Sequence, residues 1–309
     1  MKQLIFNVIV KLLNKTKENS DYLYSNFSNA SILDLYVDSL KEEGVDPRIT
    51  SLLGEEWTYQ KFEDIGIITY LNPKKTDKWM VALHGYSSSK ESSAISAWFM
   101  AEKGYNILAF DFINHGQSDE GMVSFGPNEY QNLLTALRFL HINYTPSEIG
   151  LIGFSMGAFT LNLSALINDL TFQSYNVKFG ISDSPYFEIK EVLKTVLKFS
   201  TPLVYNQIKN LFADLIHEYK ENFGIDILKY DVKNLIKENK KSFPILFFHS
   251  KKDLVTNYQD SMLFFEERKV LKQKDMIHIF ETGAHIRSQT THTDKYFELV
   301  DEFLKNLEE

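Results

Sequence analysis

The sequence has 309 residues and no cysteine. Disulfides, thiolate nucleophiles and cysteine-bound zinc are therefore excluded, and the composition suits a reducing compartment such as the cytoplasm. Positive charge is scarce too: 33 Lys and Arg stand against 41 Asp and Glu, for a net charge of −8. With no basic face to follow a phosphate backbone, nucleic acid is not an expected partner. Long apolar runs are also missing. The N-terminal stretch 2–17 is interrupted by Asn7 and Lys11, is too short to span a bilayer, and is followed by no small-residue cleavage site. The 24 Phe and 16 Tyr are spread along the chain rather than grouped, which suits a core and not a base-stacking platform.

What is present is a hydrophobic share of 44%, enough to bury the core of one domain carrying an insertion. The most informative stretch runs from Ile149 to Phe159. Apolar residues Ile149, Leu151 and Ile152 suit a buried strand, and Phe159, Leu161, Leu163, Leu166 and Ile167 suit a helix. Between them lies Gly153-Phe154-Ser155-Met156-Gly157. A serine at so sharp a strand-to-helix turn is held in an unfavourable backbone conformation, and the positions two before and two after it must lack side chains. Gly153 and Gly157 meet that demand. The turn lifts the Ser155 hydroxyl above the sheet edge and sets the Met156 N–H at a helix N-terminus, where it can donate to a developing oxyanion.

Taken in order, residues 2–17 place Leu4, Ile5, Val8, Ile9, Leu12 and Leu13 on one helical face. Three readings stay open for this basic amphipathic piece: a helix docked on its own domain, peripheral membrane contact through residues 1–17, or a degenerate signal or anchor. A second helix is expected over Ser31–Glu43, ended by Gly44, and two strands over Thr58–Leu71. From Trp79 a strand–loop–helix rhythm begins. Strands are expected at Trp79–Leu83, Tyr105–Phe110, Glu148–Ile152, Val177–Ser182, Pro244–Phe248 and Met276–Phe280, with helices at Glu91–Lys103, from Pro127 to Leu140, and at Asp294–Leu307. Residues 184–243 break the rhythm with two amphipathic helical pieces, one carrying Ile189, Val192, Leu193, Val196 and Leu197, the other Val204, Ile208, Leu211, Phe212, Leu215 and Tyr219. The stretch is longer than a crossover helix needs, so a cap is expected here; ordinary packing over the sheet is the competing reading.

Three residues just past strand ends then line up as Ser155, Asp253, His285. A hydroxyl, a carboxylate and an imidazole delivered to one sheet edge are the parts of acyl transfer through a covalent intermediate. Asp183, which also ends a strand, is the rival acid. His84, His249 and His292 are outside candidates for the base. A metal site built from His285, His292 and Asp294 has a spacing with no mechanism behind it, so neither metal nor cofactor is called for.

The chain resembles the α/β-hydrolase superfamily, and within it bacterial esterases labelled cell-surface or membrane-bound hydrolases, related to the monoacylglycerol-lipase and serine-aminopeptidase-like groups. The resemblance covers about Thr58 to the C-terminus. It is carried by Leu83-His84-Gly85-Tyr86, Asp111 with His115-Gly116-Gln117-Ser118, Gly153 to Gly157, Asp183-Ser184-Pro185-Tyr186, Asp253, and Gly283-Ala284-His285. Two positions depart from the pattern: Ile113 stands where arginine is usual, and Ser250 where glycine is usual. The resemblance implies an α/β-hydrolase fold, with a mostly parallel central sheet flanked by helices and a helical cap after the sixth strand. It divides the chain into an N-terminal helical extension, 1–57, and a catalytic domain, 58–309, capped by about 184–243. It also assigns the second oxyanion donor to the Tyr86 backbone N–H. The activity implied is cleavage of carboxylic esters with short or medium acyl chains, or of monoglyceride-like lipids. A peptidase, amidase or thioesterase on the same triad is the alternative, and a hydrolase-shaped binding module without turnover is the reading from another class.

Overall fold

The computed structural model describes residues 10–11, 15–52, 56–167, 169–202, 205–209, 212–238 and 242–309. The amphipathic stretch expected over 2–17 therefore lies largely outside the described residues, as do Val204 and Leu211 of the second insert piece. Three helices precede the sheet: α1 (Thr16–Asn26), α2 (Asn29–Glu42) and the single turn α3 (Pro47–Thr50). A hairpin follows, β1 (Trp57–Phe62) and β2 (Ile65–Tyr70). The alternating part comprises β3 (Lys78–Leu83), α4 (Lys90–Ala97), α5 (Phe99–Glu102), β4 (Asn106–Phe110), α6 (Pro127–Asn143), β5 (Glu148–Phe154), α7 (Met156–Ser164), α8 (Leu170–Gln173) and β6 (Val177–Asp183). The insertion holds α9 (Ile189–Ser200), α10 (Tyr205–Ile208), α11 (Phe212–Phe223), a 3₁₀ turn (Ile227–Tyr230) and α12 (Val232–Glu238). The chain closes with β7 (Ile245–Ser250), α13 (Tyr258–Arg268), β8 (Met276–Phe280), α14 (Ser288–Thr291) and α15 (Thr293–Glu308).

The strand order is β1-β2-β4-β3-β5-β6-β7-β8. Pairing is antiparallel for β1 with β2 and β2 with β4, and parallel from β4 through to β8. Parallel strands covered on both faces must be apolar on both, which is why these runs are continuous rather than alternating. Trp79, Val81 and Leu83 of β3 face one core, with Leu133 and Leu137 of α6 and Phe159 and Leu163 of α7. Met80 and Ala82 face the other, with Val37 of α2, Ile95 of α4 and Val300 and Phe303 of α15. Parallel pairing also sends every βα loop to one edge, so residues after β3, β5, β6, β7 and β8 gather there.

In the insertion, Ile189, Val192, Leu193 and Leu197 of α9 and Tyr219 of α11 are buried in the same core as α6 and α7. One helix was expected over Glu91–Lys103; two short ones are found. At the joint Trp98 N–H bonds to Ile95 O, and Ala101 N–H to Trp98 O, so the backbone tightens to three-residue spacing. The Trp98 indole N–H there donates to the Ser51 hydroxyl at 2.8 Å. No helix among the described residues is long and apolar enough to cross a membrane.

Candidate active site

Strand β5 delivers Ser155 into a backbone conformation of φ 52°, ψ −111°, a region that L-residues occupy only at a cost. The turn is forced by close packing. A Cβ on Gly153 would lie 2.4 Å from the Gly157 carbonyl oxygen, and one on Gly157 would lie 2.2 Å from the Leu83 oxygen and 2.7 Å from that of His84. The helix that follows can therefore approach the end of β3 only because both positions are bare. Met156 opens that helix, so its N–H is one of the first-turn donors that no intrahelical carbonyl takes. The Ser155 N–H is itself bound, donating to Asp183 O at 2.9 Å.

The turn after β7 holds Asp253. Oδ1 accepts the N–H groups of Val255 (2.8 Å) and Thr256 (3.0 Å). Oδ2 accepts His285 Nδ1–H at 2.7 Å and the Thr256 hydroxyl at 3.0 Å, with His249 Nε2 at 3.3 Å. Burial alone would raise this carboxyl, but hydrogen bonds from His249, His285 and Thr256 N–H overcome it and hold Asp253 well below the usual carboxylate range. Asp253 is thus a fixed anion. With Nδ1–H committed to it, neutral His285 carries its lone pair on Nε2, the nitrogen a base needs. Asp253 and His285 are brought together; among the described residues the Ser155 hydroxyl makes no hydrogen bond to His285. Such contacts commonly run long in resting enzymes and close in the Michaelis complex. The two halves are adjacent: the Ser155 N–H donates to Asp183 O, and the Thr256 hydroxyl that faces Asp253 Oδ2 lies 3.2 Å from Ser184 O.

The other candidates lie elsewhere or are occupied. Asp183 is fully buried, with Oδ1 taking the Ser184 hydroxyl at 2.9 Å and Oδ2 unpartnered; the Tyr296 hydroxyl lies near it but outside bonding geometry. Burial pushes it up to about 7, so Asp183 is a poor anion at neutral pH. His84 uses both ring nitrogens, on Gly85 O (2.7 Å) and the Phe112 N–H (3.0 Å). His292 bonds Thr282 O at 2.8 Å and stacks on Phe280. Asp294 pairs with Arg48, so the three ligands of the imagined metal site each serve a different partner. His249 was read as an outside candidate for the base; it is instead a second imidazole on Asp253. Oxygens of Asp253 and Thr256 surround its Nε2, which must carry the proton, while Nδ1 accepts the Ser261 hydroxyl at 2.8 Å. The only sequence signal for this was its place at the end of β7, four residues before the acid.

Tyr86 lies in the loop after β3, where Gly85 abuts the serine: a Cβ on Gly85 would sit 3.5 Å from Ser155 Cβ. The oxyanion-loop candidate and the serine turn are therefore neighbours. A family model described as the alpha/beta hydrolase fold matches residues 78–175, the span from β3 through the serine turn to α8. The chain has the α/β-hydrolase fold. Among proteins similar to this chain, the Bacillus subtilis protein YqkD, of no assigned activity, is 28% identical over 245 residues, covering 77% of this chain and 74% of its own. YitV of the same organism, which carries a provisional esterase name, is 23% identical over 238 residues, covering 70% and 84%. Among solved structures, the Pyrococcus furiosus esterase Pf2001 superposes with a TM-score of 0.63 at 23% identity, over 84% of this chain and 95% of its own.

Proposed function

We propose that this α/β hydrolase cleaves carboxylic esters through an acyl-enzyme, with Ser155 as nucleophile, His285 as general base and Asp253 as the acid that orients it. The observation that carries the reading is the 2.7 Å bond from His285 to a buried, fixed Asp253 anion at the sheet edge that also bears the strained Ser155. The esterase names of YitV and Pf2001 support it.

In the first half-reaction His285 Nε2 takes the Ser155 proton as Oγ attacks the ester carbon. The tetrahedral oxyanion is held by the Met156 and Tyr86 N–H groups, one such donor being worth about 2.7–4 kcal/mol of barrier. Collapse breaks the carbon–oxygen bond of the ester, and the imidazolium gives its proton to the departing alkoxide. Water then loses a proton to His285 and attacks the acyl carbon; the bond to Ser155 Oγ breaks, the imidazolium returns its proton to Oγ, and the acid leaves. Asp253 stays ionised throughout and offsets the imidazolium charge.

On this reading residues 58–309 are the catalytic domain and 1–57 an extension, with 184–243 capping the site. The substrate class we infer is short to medium acyl esters or monoglyceride-like lipids, in keeping with the esterase names of the similar proteins. The test is turnover of nitrophenyl esters, nitrophenyl thioesters and aminoacyl anilides by the wild type and Ser155→Ala. Ester hydrolysis lost in the variant is expected. Turnover of anilides or thioesters in preference to esters would move the reading to a peptidase or thioesterase, and no turnover at all to a binding module.

A further inference from the structure

We propose that helix α1, which lies ahead of the hydrolase fold, is a working part of the site: Thr16, Lys17 and Ser20 are positioning residues for the oxyanion loop. The inference rests on Ser155 being the nucleophile and Tyr86 an oxyanion donor, and it concerns what holds Tyr86 in place.

Helix α1 has little apolar periodicity, and its first turns make polar contacts aimed mostly at loop backbone. The Thr16 hydroxyl, itself buried, donates to Asn114 O at 2.8 Å and accepts the Asn114 side-chain amide at 3.1 Å. Lys17 Nζ donates to Ser118 O at 2.8 Å and Gly116 O at 3.2 Å. Ser20 Oγ accepts the Gly116 N–H at 2.9 Å. One turn and a half of helix thus satisfies four backbone groups of the loop 112–119. The loop passes through left-handed backbone at Asn114 (φ 64°) and Gly116 (φ 47°), residue types that enter and leave that region readily, so its shape depends on the contacts that hold it.

The same loop grips the oxyanion loop from its other side. His115 Nδ1–H donates to Ile113 O at 2.9 Å, which leaves Nε2 to accept the Ser87 N–H at 3.2 Å. Burial pushes His115 down to about 3, so the ring stays neutral and keeps that acceptor across the working pH range. Phe112 N–H donates to His84 Nε2 at 3.0 Å, and His84 Nδ1–H donates to Gly85 O at 2.7 Å. Residues on both sides of Tyr86 are therefore fastened to 112–115. A further clasp holds the other end of α1: the Tyr24 hydroxyl donates to Glu91 at 2.7 Å and accepts Lys90 Nζ at 2.8 Å, at the head of the helix that leaves the oxyanion loop. The path runs from α1 to loop 112–119, then to His84 and Ser87, then to the Tyr86 N–H.

The experiment is steady-state hydrolysis of a soluble nitrophenyl ester by the full chain carrying Thr16→Val, Lys17→Met and Ser20→Ala together. A displaced oxyanion donor weakens only the transition state, and misplacement by about 1 Å can cost roughly 10²-fold, so kcat is expected to fall about tenfold or more with KM within about twofold. Lys17→Arg should restore most of the loss. Arg48→Ala, which breaks the ion pairs of α3 with Asp46 and Asp294 away from this loop, should lower thermal stability and leave kcat unchanged. If the triple variant does not fold, Ser20→Ala and Lys17→Met decide singly, each expected to lower kcat by about threefold. Wild-type kcat in a folded triple variant, or in both single variants, overturns the inference. Retained turnover in Ser155→Ala would instead remove the functional reading beneath it.

Discussion

Replacing Asp183 by asparagine separates a buried acid that titrates from the acid assigned to the proposed triad. Asp183 has no exposed surface and one carboxylate oxygen with no partner, and burial raises it from 3.8 to about 7 despite the Ser184 hydroxyl bond that pulls the other way. The folded state therefore holds a proton that the unfolded chain has released over this interval. Stability from Asp183 is fully present below pH 4 and is lost as pH rises through about 7. At 1.36 kcal/mol per pH unit, a displacement of about three pH units corresponds to roughly 4 kcal/mol, an upper figure because local opening relieves part of it. The amide introduced by Asp183→Asn cannot ionise, so the variant should gain on the wild type as pH rises. In urea unfolding at intervals from pH 5 to 8, the stability difference between variant and wild type is expected to move in the variant's favour by about 2–3 kcal/mol. A difference flat with pH would refute the reasoning. The same variant tests the choice of acid. Asp183→Asn should keep kcat within a few-fold, whereas Asp253→Asn should lose about 10⁴ by leaving His285 in the wrong tautomer.

Other outcomes follow from the same geometry. Lys90→Met removes the cation shared by Asp111 (2.8 Å) and Glu91 (2.9 Å) in a fully buried cluster, and is expected to destabilise by about 3–5 kcal/mol in urea unfolding. A loss under about 1 kcal/mol would mean that the carboxyls neutralise instead. Gly157→Ala forces a methyl against the Leu83 and His84 carbonyls; about 1–3 kcal/mol of overpacking and a kcat loss of roughly 10²-fold are expected, and normal turnover would show that the turn tolerates a side chain. His249→Phe deletes a donor to Asp253 Oδ2, a charge-assisted bond worth about 1.5–3 kcal/mol, so kcat/KM should drop at least tenfold. An unchanged value would make His249 a bystander.

How much of this could be read from the chain depends on the kind of contact. That Ser155, Asp253 and His285 fall at one sheet edge was legible because each follows an apolar run that pairs in parallel, and parallel pairing sends all such residues to one edge. Gly153 and Gly157 were legible for a local reason, the crowding of a sharp strand-to-helix turn. Helix α1 was not: Thr16 to Asn26 carries no apolar stripe, and its place comes from hydrogen bonds to loop backbone nearly one hundred residues away, which periodicity does not report. The ranking of Asp253 above Asp183 had no sequence basis beyond chain order. The environment separates them: one carboxyl meets five donors and the other meets one. His249 stayed hidden because its contact with Asp253 forms only when the turn 250–256 folds back on β7.

The central claim, that Ser155 is the activated nucleophile, is tested most directly by mass spectrometry of the chain after exposure to a fluorophosphonate, with peptide mapping of the adduct. One phosphonyl group on the peptide bearing Ser155, absent in Ser155→Ala and strongly slowed in His285→Ala, is the predicted result. An adduct on another residue, or equal labelling of Ser155 with and without His285, would contradict it.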